Sequence, residues 1–327
     1  MDLGVRRHAL ARLVEFARGT LLPRRLVPPL RVAERGTGGE DSLWRAPLRQ
    51  LHQYLVAPLE ETGLLADKTR LILVPHAELH YLPFAALVSG AGRGRFLIER
   101  YDVALTPSAS VWLALGDRRT GGAAGVLALA PRTDALPASR REVAAVARLG
   151  GADPQVLIDQ AATEAAFRRD APGRRILHLA TYGVLNKQNP LFSYMDLAAG
   201  GEQDGRLEVH EVFGLRLAAD LVVLSACQTG LGSGVLADVP AGDDWVGLTR
   251  AFLHAGAARV VATLWPVDDW ASAALMERFY EGYQAQDDAA RALALAQRAL
   301  LAAPATAHPF YWAGFVSVGG ASAERTP

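Results

Sequence analysis

Among 327 residues the chain has a single cysteine, Cys227, and only two lysines, Lys68 and Lys187. One thiol excludes an intrachain disulfide and any zinc site built on several thiolates, and it suits a reducing cytoplasm. An excess of charge of either sign is also lacking. Lys plus Arg and Asp plus Glu both number 34, so net charge draws in neither nucleic acid nor an anionic membrane. No stretch approaches the ~20 apolar residues of a membrane span, and Met1 to His8 contain no apolar core of a signal peptide. The expectation is a soluble, intracellular protein with no membrane partner. No repeat of about 20–50 residues is visible, which argues against a solenoid within the chain. The shortage of lysine beside abundant arginine and alanine reads as coding bias.

What is present is apolar. Half of the residues are hydrophobic, enough for one extended α/β domain or two modest ones. Residues 5–18 have helical spacing, and a linker broken by Pro23, Pro28, Pro29 and Gly36 to Gly39 follows. From Leu43 to Leu59 a helix is predicted with Leu48, Leu51, Leu55 and Leu59 on one face. Short strands are predicted at 70–75 and 102–106, then a glycine-rich seam at 116–125. Beyond it strands at 126–130, 155–158, 176–182, 221–226, 259–264 and 313–318 alternate with helices at 138–149, 163–170, 244–256, 270–283 and 288–302. Such alternation predicts a mainly parallel sheet with helices on both faces. The segment 184–219 reads as mostly irregular.

Two of these strands end in residues that carry chemistry. Leu221 to Leu224 is a fully apolar run that gives way to Ser225-Ala226-Cys227-Gln228-Thr229-Gly230, and Ile176 to Ala180 gives way to Thr181-Tyr182-Gly183. Buried parallel strands present their reactive groups just past their carboxyl ends. Cys227 and Tyr182 are therefore expected on one rim.

These two segments resemble the paired signature of CHAT domains, caspase-like modules usually found behind tetratricopeptide repeats. Leu73 to Phe84, Ala262 to Asp269 and His308 to Phe315 resemble three further segments of that family, in the right order across residues 44–319. The resemblance implies an α/β, caspase-like fold with a mainly parallel sheet flanked by helices on both faces. The domain would span residues 41–319, with 41–120 as its N-terminal portion and 124–319 as the caspase-like core, between a helix and linker at 1–40 and a tail at 320–327. It implies no cofactor and no metal. Active members of the family cut peptide bonds with a cysteine nucleophile and a histidine base. By position the nucleophile falls on Cys227, the oxyanion-binding N–H groups on Gly183 and Cys227, and the base on Tyr182, which is not histidine.

That departure decides the chemistry. A thiol with a pKa near ~8.5 is only a few per cent ionised at neutral pH, and a phenol with a pKa near ~10 does not readily accept its proton. Loss of a nucleophile's base has cost about 10⁴- to 10⁶-fold in rate in well-studied hydrolases. His178 shares a face with Tyr182 but lies about 13 Å along the strand, too far to reach the thiol. His210, between the two motif strands, is the one histidine whose position the sequence leaves open, and a solvated or capping role is its simpler reading. His76 and His80 have metal-like spacing, but a zincin helix needs glutamate at 77, where Ala77 stands, so they read as structural. Gly230 to Gly234 lacks the dinucleotide and Walker patterns and reads as a rim loop. Asp268 is a candidate to bind a substrate side chain, against the plainer reading that it caps a helix. Trp245, Trp265, Trp270 and Trp312 could shape a cleft, although each alone reads as core.

Three readings follow. In the first the domain is a degenerate or very weak peptidase that serves to bind a protein substrate or a regulatory partner, such as a repeat-containing or sensor subunit. In the second it is a working cysteine endopeptidase with an unconventional base. In the third it is a small-molecule-binding α/β protein.

Overall fold

A computed structural model describes residues 5–22, 41–116, 124–186, 189–228 and 243–320. The linker prolines, the glycine cluster at 36–39, most of the 116–125 seam and the loop at 230–234 lie outside these residues. The chain opens with α1 (Arg7–Leu21), α2 (Asp41–Leu55) and α3 (Ala57–Glu61), followed by β1 (Arg70–Leu73), β2 (Val88–Ser89), β3 (Arg95–Phe96), β4 (Asp102–Leu105) and α4 (Ala109–Gly116). Alternation then begins, with β5 (Val126–Ala130), α5 (Ser139–Leu149), β6 (Pro154–Ile158), α6 (Glu164–Asp170) and β7 (Ile176–Val184). After β8 (Tyr194–Asp196), β9 (Arg206–Glu208) and α7 (Val209–Val212) come β10 (Leu221–Gln228), α8 (Asp243–Ala255), β11 (Arg259–Thr263), α9 (Asp269–Gln286), α10 (Ala289–Ala302) and β12 (Phe315–Gly319).

The main path of the ten-stranded sheet runs β1-β4-β12-β11-β10-β7-β5-β6. Strand β12 is antiparallel to β11, while the other pairings along this path are parallel. Every residue of β5 is buried, as are the first six of β7 and the five of β12, which is why these segments read as continuous apolar runs. Helices α5, α6 and α8, which return the chain between parallel strands, begin at the carboxyl edge of the sheet and end at its amino edge.

Two expectations change. The predicted helix at 43–59 breaks at Val56, because Pro58 enters as α3 restarts the turn. Leu48 and Leu51 are buried, but Leu59 has left their face and is 40% exposed. The segment 184–219, expected to be irregular, holds β8, β9 and α7. Strand β7 outruns β5: its pairing with β5 ends where Leu179 meets Leu129, and β8 takes over the vacated edge at Gly183 and Val184. Unpaired backbone N–H and C=O groups along that edge thereby find partners.

Candidate functional site at the carboxyl edge

Strands β10 and β7 pair along their shared length, from Leu221↔Ile176 to Gln228↔Gly183, with Cys227 directly opposite Tyr182. Directly paired residues of neighbouring strands share a face, and alternate residues along a strand return to it. Cys227, Tyr182, Ser225, Ala180, Val223 and His178 therefore belong to one face, with Cys227 and Tyr182 at its carboxyl end. Tyr182 is half-buried and Gly183 is buried.

The other flank of Tyr182 is built from residues that sequence reasoning missed. The β7–β8 register, Gly183↔Met195, puts Asp196 next to position 182, and Thr181 Oγ1 donates to the Asp196 carbonyl at 2.5 Å. Arg132, two residues beyond β5, grips the Asp196 carboxylate with both prongs, Nε and Nη2 each donating at 2.7 Å, and Nη2 also reaches the Leu197 carbonyl at 3.2 Å. The hydrogen-bonded carboxylate of Asp196 holds the Arg132 guanidinium even more firmly protonated than usual, against an opposing push from burial. Asp134 and the phenol of Tyr182 act in the same direction as Asp196, so this cation lies within electrostatic reach of position 182. Arg132 follows the apolar strand β5, and the strand-end rule would have found it. Asp196 was hidden in the stretch read as irregular.

Two aspartates complete the rim at the start of α9. Asp268 accepts from Ala271 N at 2.9 Å as the N-cap, while its neighbour Asp269 reaches across to accept from Ala138 N at 2.7 Å, where α5 begins. Burial pushes the Asp269 carboxyl up, the Ala138 N–H opposes the shift, and the negative charges of Glu142 and Asp268 add to it. The Asp268 carboxylate is thus engaged as a helix cap.

The histidines separate by environment. His178 is wholly enclosed between Glu142 and Tyr280. His210 lies on α7, 3.1 Å from Glu208 and half exposed, with its ring against Phe192. His76 precedes a 3-10 turn at Ala77–Tyr81, and His80 lies within it. Among the described residues no three His, Cys, Asp or Glu side chains converge as a metal site. Trp265 and Trp312 are core, each with its indole N–H donating to a backbone carbonyl. Trp270 is different: it is 57% exposed beside the rim aspartates. Trp245 lies on α8.

The arrangement has known relatives. Over 86% of its length the chain is 29% identical to human tetratricopeptide repeat protein 28, and it is 28% identical to the mouse protein over the same share. It spans only 13% of those relatives. A chain of the Saccharomyces cerevisiae separase–securin complex superposes with a TM-score of 0.53 at 13% identity, over 77% of this chain and 16% of the other. The complex of Porphyromonas gingivalis RgpB pro- and mature domains gives 0.51 at 10% identity, over 96% of this chain and 77% of that one. These two likenesses establish the fold, a caspase-like α/β architecture with a mostly parallel sheet flanked by helices. The CHAT family model matches residues 45–320, well over half of the sequence, and the chain belongs to the CHAT domain family.

Proposed function

We propose that the rim around Cys227 is a peptide-binding site whose chemistry is lost or residual, and that the domain serves as a regulatory or partner-binding module. The observation that carries this reading is the direct pairing of Cys227 with Tyr182 across β10 and β7. Cys227 stands at the nucleophile position, and the backbone N–H groups of Gly183 and Cys227 stand where an oxyanion would be held, a function that needs no side chain. The base position holds a phenol, which at neutral pH donates a hydrogen bond but neither takes up the thiol proton nor protonates a leaving amine as imidazolium would. The Arg132 cation does not replace the missing imidazolium, because its charge is answered by Asp196 and Asp134. No observation places His210 at the thiol: its imidazole is turned to Glu208 and Phe192. The partner is a protein, in keeping with repeat-protein relatives and with a structural neighbour determined as a complex with securin. No helix among the described residues is long and apolar enough to cross a membrane, and the proposed setting is the cytoplasm.

Iodoacetamide alkylation of Cys227 between pH 5 and 10, followed by intact mass, tests the reading. A rate that rises only near or above pH ~8.5 is the expected result, that of an unassisted thiol. An apparent pKa well below 8 would overturn it and point to a working endopeptidase.

A further inference from the structure

Four residues before Tyr182, on the same face of β7, His178 is completely buried. Its Nε2 lies 2.9 Å from Glu142 Oε1 on α5, and its Nδ1 lies 3.1 Å from the Tyr280 hydroxyl on α9. Glu142 and Tyr280 are buried as well. Burial drives the Tyr280 phenol well above its usual pKa, so it keeps its proton. Both imidazole nitrogens are engaged by buried partners, Nδ1 by the Tyr280 hydroxyl and Nε2 by the Glu142 carboxyl. A ring flip would break both bonds.

Packing alone does not call for this trio, since well-packed apolar side chains of the same volume often serve stability as well or better. What it adds is a fixed separation between a strand and two helices. Both helices begin at the rim: α5 follows the loop that carries Arg132, and α9 begins with Asp269, which holds that loop through Ala138 N at 2.7 Å. We infer that His178 is a positioning residue: clamped by Glu142 and Tyr280, it sets α5 and α9 on the face that carries Tyr182, and so fixes the wall that Arg132 and Asp269 present at the carboxyl edge where β10 brings Cys227 opposite Tyr182. This role is independent of whether Cys227 cleaves peptide bonds.

The test compares Cys227 alkylation across pH in the wild type and in Tyr280→Phe, His178→Leu and His178→Gln, each shown to unfold cooperatively. Tyr280→Phe removes one oxygen and keeps the ring. It is expected to change the alkylation rate by about threefold or more, or to move the midpoint of its pH profile, because small displacements near a reacting group carry large rate effects. His178→Leu should do the same more strongly. His178→Gln, whose amide can accept from Tyr280 and donate to Glu142, should recover part of the wild-type behaviour. Wild-type rates and midpoints in both folded Tyr280→Phe and folded His178→Leu would reduce the trio to packing and overturn the inference. If His178→Leu fails to fold, Tyr280→Phe decides alone. The wild-type profile tests thiol activation, and the variant-to-wild-type ratio tests positioning, so the two proposals fail separately.

Discussion

Two regions of one sheet treat charge in different ways. On the outer strands β1 and β4, which run against β7 and β10, and at the amino edge of β7 and β10, arginines and aspartates answer each other. Asp102, with its side chain 3% exposed, meets Arg298 at 2.9 Å and Arg291 at 3.1 Å, with Arg70 at 4.0 Å. Arg175 bridges Asp220 at 3.4 Å and Asp287 at 3.2 Å. At the carboxyl edge Asp268 and Asp269 instead bind backbone N–H groups at helix starts, although Arg132 pairs with Asp196 and Arg140 with Asp159 there as well. A dense set of charges therefore does not mark the site. The register of β7 and β10 marks the proposed site, because it brings Cys227 and Tyr182 to the same height.

This contrast can be sharpened first where the effect is largest. Tyr182→His should restore a base at the carboxyl edge, and a thiolate–imidazolium pair would raise Cys227 alkylation near pH 7 by about tenfold or more, since the free thiol is only a few per cent ionised there. Cleavage gained against a peptide mixture would locate the defect in this one residue; no gain in either assay would mean that the site has decayed beyond it. On the β1–β4 flank the expected effect is on stability. Asp102→Ala leaves Arg291 and Arg298 without their buried partner and should cost about 3 kcal/mol in denaturant unfolding, the low end for such a loss because both arginines keep some water.

The helix caps give a smaller and more direct comparison. Asp268 caps α9 at the rim, while Asp288 caps α10 at the amino edge and also pairs with Arg70. Asp268→Ala should cost about 1 kcal/mol, the usual loss of a cap. Asp288→Ala should cost more, and equal losses would mean that the Arg70 pair contributes nothing. The smallest effect is one of pH. Burial raises the carboxyls of both Asp220 and Asp269. A raised carboxyl binds its proton more tightly in the folded chain, so its contribution is fully present below the ordinary aspartate pKa of about 3.9 and is lost as pH rises through the folded value. Asp269→Asn keeps an oxygen for Ala138 N and should weaken the fall in stability over that window. Asp220→Asn should do the same at the other edge. Melting curves at closely spaced pH values would show no such flattening if neither carboxyl is raised.

Much of this arrangement was legible because buried parallel strands leave a strong local mark. The apolar runs around Val126, Ile176, Leu221 and Val260 each became a central strand, and the polar residues that ended two of them led to the rim. The motif resemblance also singled out Cys227 and Tyr182, which the register sets opposite each other. Three things were not legible. Strands β8 and β9 are three residues each, and their pairing is dictated by the unfinished edge of β7, which no local pattern encodes. Asp196 was lost with them. His178 was judged by its distance from the thiol alone, whereas its role depends on Glu142 and Tyr280, which lie 36 and 102 residues away in the chain. The exposure of Trp270 was equally invisible, since an indole at a helix start packs or protrudes according to what tertiary contacts leave open.

The continuity of the sheet has one weak rung. Strand β12 meets β4 through a single pair, Val318↔Leu105, whereas β10 and β7 share eight. Strands β1 and β4 are held to the rest largely from α10, where Arg298 bonds both Asp102 and the Ile98 carbonyl and Arg291 bonds Asp102. In terms of hydrogen exchange, the amides of β1 and β4 form a unit that opens at lower free energy than the ladder beneath Cys227. The N-terminal strands can then breathe and reclose while the floor of the site stays shut.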